Sequence, residues 1–283
     1  MEIKKVGVVG CGVMGSGITQ VCAQSGYQVV VSEINEELLD KGLASINKTL
    51  TRSVEKGKLS QQDKDAILGR IKGTTDTKDF SDCDLVIEAV IEDMDLKKGV
   101  FAELDKVCPK HTILATNTSV LSVIDMAMQT ARPEKVLGFH FMNPVPVMRL
   151  IEVVKTIATS EETLEAGRDF GKSLGKTIVI AQDTPGFIIN RMETPFMLNA
   201  IRMLEAKIAT PEDIDNAISL GLNQPMGPLA LLDLIGIDTV FFAANAMYEE
   251  LKDPQYAPPS LMRKMVTAGW LGRKTGKGFY EYK

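Results

Sequence analysis

The chain has 283 residues, 24% of them charged and 45% hydrophobic, with a formal net charge of −5. That length suits one large or two modest domains with a sizeable core, and the composition is that of an ordinary globular protein. A mildly acidic chain without a Lys/Arg-rich face argues against nucleic acid as a partner, and no apolar run reaches the roughly 18 residues of a membrane span.

The four cysteines, Cys11, Cys22, Cys83 and Cys108, are scattered without a C-x-x-C pair. They read as reduced, mostly buried thiols of a cytoplasmic protein, and no metal site is expected. The first strand begins within five residues of Met1, which leaves no room for a signal or transit peptide.

Val6 to Val9 reads as a short buried strand and Ile18 to Ala23 as the body of a helix. Between them runs G-x-G-x-x-G, with Gly10, Gly12 and Gly15. The first glycine permits the tight turn, the second lets the backbone approach a pyrophosphate, and the third allows close strand–helix packing. The helix N-terminus then offers N–H groups and a positive dipole end to the anion. After Gly26, residues 28–33 form a second strand that ends at Glu33, 18 residues beyond Gly15. An acid there can hydrogen-bond an adenine ribose and repel a 2′-phosphate, which favours NAD over NADP. It can equally be an exposed acid capping the next helix.

A long helical pattern over 36–57 carries Lys48, Arg52 and Lys56 on one face. Gly57 breaks it and Ser60 to Leu68 restarts a helix, so the span 36–70 is a helical hairpin inserted into the βαβ plan. Its basic stripe reads either as a solvated face or as an anchor for a phosphate-bearing ligand. Strand–helix alternation follows, with strands at 71–74, 84–89, 112–116, 136–141, 150–154 and 176–180. Helices fall at 96–107, 120–129 and 163–174. This pattern implies a largely parallel sheet covered by helices.

Beyond Asp183-Thr184-Pro185-Gly186 the pattern is helical only, over about 187–206, 211–220, 228–251 and 260–268, with a kink expected at Pro195. The first of these helices is apolar on several sides, which suggests that a second subunit covers it. The chain thus divides into residues 1–184, an α/β Rossmann-type dinucleotide-binding domain with a helical-hairpin insertion, and residues 185–283, an all-α C-terminal domain.

Only two histidines are present. His111, beside Pro109 and Lys110, reads as an exposed connector residue. His140 lies in an apolar strand just before Asn143-Pro144, as a core or edge residue or as an acid–base catalyst. Glu152 sits among Leu150, Ile151, Val153 and Val154, where an unpaired carboxylate is costly. Ser119 follows a strand at the end where open α/β sheets bind ligands, and Asn190 opens the helical domain. A surface lysine pair, an N-cap and a helix-start polar residue are the plainer readings of those three.

Taken together, several stretches resemble one family. They are Gly10–Gly17, Asn117-Thr118-Ser119, Gly138 to Met148, Leu150-Ile151-Glu152-Val153, Asp183 to Arg191, Pro225-Met226-Gly227-Pro228 and Gly272 to Tyr280. Across the whole chain, in order, they look like the L-3-hydroxyacyl-CoA dehydrogenases, and within them the bacterial (S)-3-hydroxybutyryl-CoA dehydrogenases. The resemblance implies an NAD-dependent oxidoreductase that interconverts 3-hydroxybutyryl-CoA and acetoacetyl-CoA in fatty-acid or butyrate metabolism, and a homodimer formed by the helical domain.

The same resemblance implies roles for single residues. His140 is the catalytic base, Glu152 the carboxylate that orients it, and Ser119 and Asn190 the side chains that hydrogen-bond the reacting oxygen and its surroundings. Gly10, Cys11, Gly12, Val13, Met14, Gly15, Glu33, Glu92, Lys97, Asn143 and Lys274 fall on the cofactor side. Thr49, Lys56 and Ser119 fall on the coenzyme A side. The sequence departs from the family pattern in N-T-S-V for N-T-S-S, in Glu33 for the usual Asp, and in Thr49 for a Ser. A dehydrogenase of free hydroxy acids, which would not need the basic hairpin, and a non-catalytic NAD-binding protein are the two alternatives.

Overall fold

A computed structural model describes residues 2–282. The chain forms two compact units, one ending at Asp183 and one beginning at Thr184.

The first unit is built on eight strands: β1 (Lys5–Val9), β2 (Gln28–Ser32), β3 (Ile71–Thr74), β4 (Leu85–Glu88), β5 (Ile113–Thr116), β6 (Val136–Phe141), β7 (Leu150–Lys155) and β8 (Thr177–Gln182). They form one sheet in the order β3-β2-β1-β4-β5-β6-β7-β8. Every neighbouring pair is parallel except β6 with β7, which is antiparallel. The central strands are rich in Val, Ile and Leu and are buried but for the half-buried Lys5 that opens β1, as strands covered on both faces must be. The chain leaves β1 toward β2 and β3, then returns to β4 on the other side. The carboxyl ends of β1 and β4 therefore flank the switch point where such sheets bind ligands.

Helices α1 (Val13–Gln24), α2 (Glu36–Glu55), α3 (Gln61–Leu68), α4 (Met94–Val107), α5 (Val123–Ala127) and α6 (Glu161–Ser173) connect the strands. Local chemistry sets several starts: Asn35, Ser60, Asp93 and Ser160 each accept the N–H three residues on, which satisfies an otherwise orphaned donor. Gly57 at φ +66° follows α2 and separates it from α3. Helix α5 is much shorter than the expected 120–129, because Asp183 caps its first turn by accepting the Val123 and Ile124 N–H groups at 3.0 and 2.7 Å.

The second unit holds α7 (Ile189–Glu205), α8 (Pro211–Gly221), α9 (Pro228–Ile235), α10 (Ile237–Leu251) and α11 (Ser260–Thr267) around a core that includes Met197, Ile201, Leu229, Leu232, Ile237 and Met262. The span 228–251 is two helices rather than one. The chain turns by 98° at Gly236, whose φ of +108° is open to glycine alone. Helix α7 runs through Pro195. Proline removes the donor that would meet the Arg191 carbonyl, and the Tyr256 hydroxyl points at that carbonyl from 3.5 Å.

Asp233 ties the C-terminal turns to α9 by accepting the Phe279 and Tyr280 N–H groups and the Tyr282 hydroxyl at 2.9–3.0 Å. Asp215 accepts the Leu229 and Ala230 N–H groups and the Tyr280 hydroxyl at 2.7–2.9 Å. Burial, with that bond, pushes the Tyr280 phenol up.

Among the described residues no single helix is long and apolar enough to cross a membrane. All four cysteines are buried and unpaired. Burial pushes Cys11, Cys22 and Cys83 up to about 12 and Cys108 to about 11. The thiolate is the reactive form, so the folded protein should hold all four as inert thiols at pH 8. Ellman's reagent should release four equivalents in guanidinium and almost none without it. A thiol that reacts rapidly in the native protein would contradict this burial.

Candidate active site

The antiparallel pairing of β6 with β7 sets Gly138 opposite Val154, Phe139 opposite Val153, His140 opposite Glu152 and Phe141 opposite Ile151. Directly opposed residues project from the same face of a sheet, and here the His140 Nδ1 and Glu152 Oε2 atoms are 2.6 Å apart. Glu152 is fully buried and His140 is 5% exposed. A carboxylate on Nδ1 holds the ring proton there and leaves Nε2 as the acceptor. Ser119, in the turn after β5, brings its Oγ to 3.1 Å from that Nε2. Three of the expected residues, distant in sequence, thus form one hydrogen-bonded series.

The turn that carries Ser119 is held by charged groups. Glu92 accepts the Ser119 N–H at 2.8 Å and the Thr118 hydroxyl at 2.5 Å through the same oxygen. Its other oxygen lies 3.3 Å from Lys97 Nζ, and Lys97 is 1% exposed. The Asn117 side-chain oxygen accepts the Phe141 N–H at 2.9 Å, which locks the turn to the end of β6. The sequence reading missed Glu88, Thr116 and Lys176. The one signal for Glu88 is an acid that closes an otherwise apolar strand. Lys176 gives no sequence signal, yet its Nζ donates to the Val145 and Met148 carbonyls at 2.7 Å each and so braces the loop between β6 and β7. Burial pushes this amine down.

At the switch point, α1 starts from Gly12 with no side chain capping its first turn. Its first N–H groups are therefore left to an external acceptor. A Cβ on Gly12 would meet nothing within 4 Å, whereas one on Gly15 would stand 1.8 Å from the Gly10 carbonyl oxygen. The loop is thus open outward and tight inward. At the end of β2, Glu33 accepts the Cys11 N–H at 2.7 Å and its neighbour's, Ile34, at 3.1 Å, which places its carboxylate against the loop. These features fit a nicotinamide dinucleotide.

Helix α2 sits on the same loop, since a Cβ on Gly42 would come within 2.3 Å of Cys11 Sγ and the Cys11 carbonyl oxygen. A cleft of about 200 Å³ lies alongside, lined by Val13, Gly17, Thr49, Asn143, Val145 and Val147 among others. Thr49 donates its hydroxyl to the Ser45 carbonyl at 3.0 Å. Lys48, Arg52 and Lys56 are exposed along α2, and Lys56, its C-cap, is not among the cleft residues. Two expected residues belong to the second unit: Asn190, the second residue of α7, and Lys274, paired with Asp238 at 2.6 Å.

A doubly wound sheet with this glycine turn, an acid closing β2 and a His–Glu pair near the carboxyl end of β6 defines a dinucleotide-dependent oxidoreductase. The family model for the 3-hydroxyacyl-CoA dehydrogenase NAD binding domain matches residues 5–184, and that for the C-terminal domain of the same family matches residues 186–282. The chain belongs to the 3-hydroxyacyl-CoA dehydrogenase family, and its cofactor is NAD.

It is 48% identical over 282 residues to a 3-hydroxybutyryl-CoA dehydrogenase of Mycobacterium tuberculosis, with 99% of each chain covered. It is 46% identical over 278 residues to one of Clostridioides difficile, covering 98% of this chain and 99% of the relative. The crystal structure of (S)-3-hydroxybutyryl-CoA dehydrogenase from Ralstonia eutropha superposes with a TM-score of 0.96 at 43% identity, with both chains fully covered.

Proposed function

We propose that this chain interconverts (S)-3-hydroxybutyryl-CoA and acetoacetyl-CoA with NAD, by acid–base catalysis on His140. The observation that carries the reading is the series Ser119 Oγ, His140 Nε2, His140 Nδ1 and Glu152 Oε2, with separations of 3.1 and 2.6 Å. NAD, when bound, supplies the acceptor for the hydride that leaves the substrate's C3. In the oxidising direction Nε2 takes the 3-hydroxyl proton as the C–O bond becomes a carbonyl, and Glu152 stabilises the imidazolium that forms. In the reducing direction the protonated ring returns that proton to the nascent alkoxide. With substrate bound, the Ser119 hydroxyl turns its proton from Nε2 to the same substrate oxygen, which frees Nε2 to take the substrate's proton.

Gly10, Cys11, Gly12, Val13, Met14, Gly15 and Glu33 would hold the dinucleotide at the switch point. The family resemblance adds Glu92, Lys97, Asn143 and Lys274 to that group and gives Asn190 a hydrogen bond to the reacting oxygen's surroundings. The exposed cations of α2, near Thr49, support a site for the coenzyme A phosphates. A cytoplasmic location, argued from the four unpaired cysteines, belongs to the same reading.

With NADH and acetoacetyl-CoA the wild-type protein should show loss of absorbance at 340 nm, and free acetoacetate should be a far poorer substrate. General acid–base catalysis is worth roughly 10²–10⁴-fold, and His140→Gln should lower kcat by that factor. Near-normal turnover in the variant would remove His140 from the mechanism. Turnover of the free acid at the thioester's rate would favour a hydroxy-acid dehydrogenase instead.

Reversing charge by Lys56→Glu should weaken acyl-CoA binding and reduce its salt sensitivity while sparing NADH, as isothermal titration would measure. An unchanged acyl-CoA affinity returns the stripe to a solvated face.

The homodimer is part of the proposal. In the second unit Met192, Ile208, Leu220 and Phe242 are 64–83% exposed, a large apolar surface for one small unit. Sedimentation at micromolar concentration should give about twice the 30.9 kDa chain mass, and a purely monomeric profile would reject it.

A further inference from the structure

Glu88 is the last residue of β4, beside the switch point, and no part of it reaches solvent. A carboxylate in a strand otherwise made of Leu85, Val86 and Ile87 must be compensated for its lost hydration. Its Oε1 accepts Lys97 Nζ and the Val90 N–H, each at 2.7 Å, and its Oε2 accepts the Thr116 hydroxyl at 2.6 Å. Apolar residues of similar volume often serve stability as well as a buried ion pair does, so stability alone is a poor reason for this one. What the pair adds is position.

From Glu88, two routes reach the turn that carries Ser119, one through ion pairs and hydrogen bonds and one through hydrogen bonds alone. The first runs through Lys97, whose Nζ also lies 3.3 Å from Glu92, the residue that accepts the Thr118 hydroxyl and the Ser119 N–H. The second runs through Thr116. Its hydroxyl proton is committed to Glu88, which turns its oxygen toward the Thr118 N–H at 3.2 Å. Both routes end on the backbone and side chains that fix where Ser119 Oγ stands against His140 Nε2.

We propose that Glu88 is a positioning residue for the reaction: through Lys97 and Glu92, and separately through Thr116, it holds Ser119 in its hydrogen bond to His140. This rests on the acid–base reading of His140 above. Glutamine has nearly the same shape but only one acceptor oxygen, whereas Glu88 takes three donors on two. An amide N–H₂ facing Thr116 would strand the threonine's proton, and one facing Lys97 would set two donors together. Lys97, without its buried counter-charge, would draw Glu92 away from the Ser119 N–H.

The test uses the full-length protein in a His111→Asn background. The chain has two histidines and His111 is exposed, so ¹⁵N-histidine spectra then report His140 alone. Glu88→Gln should shift the His140 Nε2 resonance and lower kcat by about 10–100-fold, the scale of a slightly misplaced catalytic group, with KM for acetoacetyl-CoA little changed. Thr116→Val, which cuts only the second route, should move both readouts in the same direction by less.

A folded Glu88→Gln protein with an unmoved Nε2 resonance overturns the proposal, whether kcat falls or not. Should circular dichroism show that Glu88→Gln does not fold, Thr116→Val decides in the same way. If the wild type itself fails to turn over acetoacetyl-CoA, the acid–base reading fails, while the Nε2 shift still reports whether Glu88 holds Ser119.

Discussion

The antiparallel pairing of β6 with β7 is the constraint on which the candidate chemistry depends. Every other neighbouring pair in the sheet is parallel, and parallel neighbours need a long crossover between them. Only here does the chain double back, across the eight residues between Phe141 and Leu150. That reversal sets residue 140 against residue 152 on one face of the sheet. A buried carboxylate alone would be costly, and here the His140 Nδ1–H partners it at 2.6 Å. The register therefore does more than align two strands, since it gives the buried Glu152 carboxylate its hydrogen-bond donor.

Much of the fold is legible in the sequence because its signals are local. Apolar runs four to six residues long, glycine turns and caps such as Asn35 and Ser160 mark strand and helix ends without reference to the rest of the chain. The glycine turn with Glu33 is likewise readable, since strand, turn, helix and acid follow at fixed spacings. Where local pattern fails, a tertiary cause is visible. The apolar periodicity of 228–251 is continuous, but Gly236 turns the chain there, and Lys274 Nζ and the Asp238 and Thr239 side chains would lie within 3.2 Å of any Cβ at that position. Helix α5 is defined by Asp183, which is 60 residues away from the Val123 it caps.

The candidate site is legible only in part for the same reason. His140, Glu152 and Ser119 can each be singled out as polar groups in apolar or ligand-facing stretches, but sequence spacing contains no strand register. That His140 faces Glu152 follows from which residues of β6 and β7 pair, and a slip of one position would turn the carboxylate to the other face. Glu88 and Lys97 are less visible still. Lys97 reads as one more helix cation, and only the fold shows that it is buried against Glu88 at the end of β4. The sequence resemblance supplied Glu92 and Lys97 as cofactor-side residues without showing that Glu92 is bonded to the turn that carries Ser119 and that Lys97 is paired with Glu92.

The two fully buried carboxylates of the sheet, Glu88 and Glu152, act on opposite nitrogens of one imidazole. Glu152 meets Nδ1 directly, and this fixes which nitrogen carries the proton. Glu88 reaches Nε2 at a distance, through the partners that hold Ser119. On the proposed reading, a ring that accepts and returns a proton at Nε2 needs both its tautomer and its orientation set, and a single partner on Nδ1 still permits rocking about that bond. Contacts on the two nitrogens, one from β7 and one from the turn after β5, restrict that motion. This gives a reason for two charged residues in a core that apolar side chains could fill. The same logic accounts for their places, one on β7 opposite the histidine and one at the end of β4, where the turn after β5 can be reached.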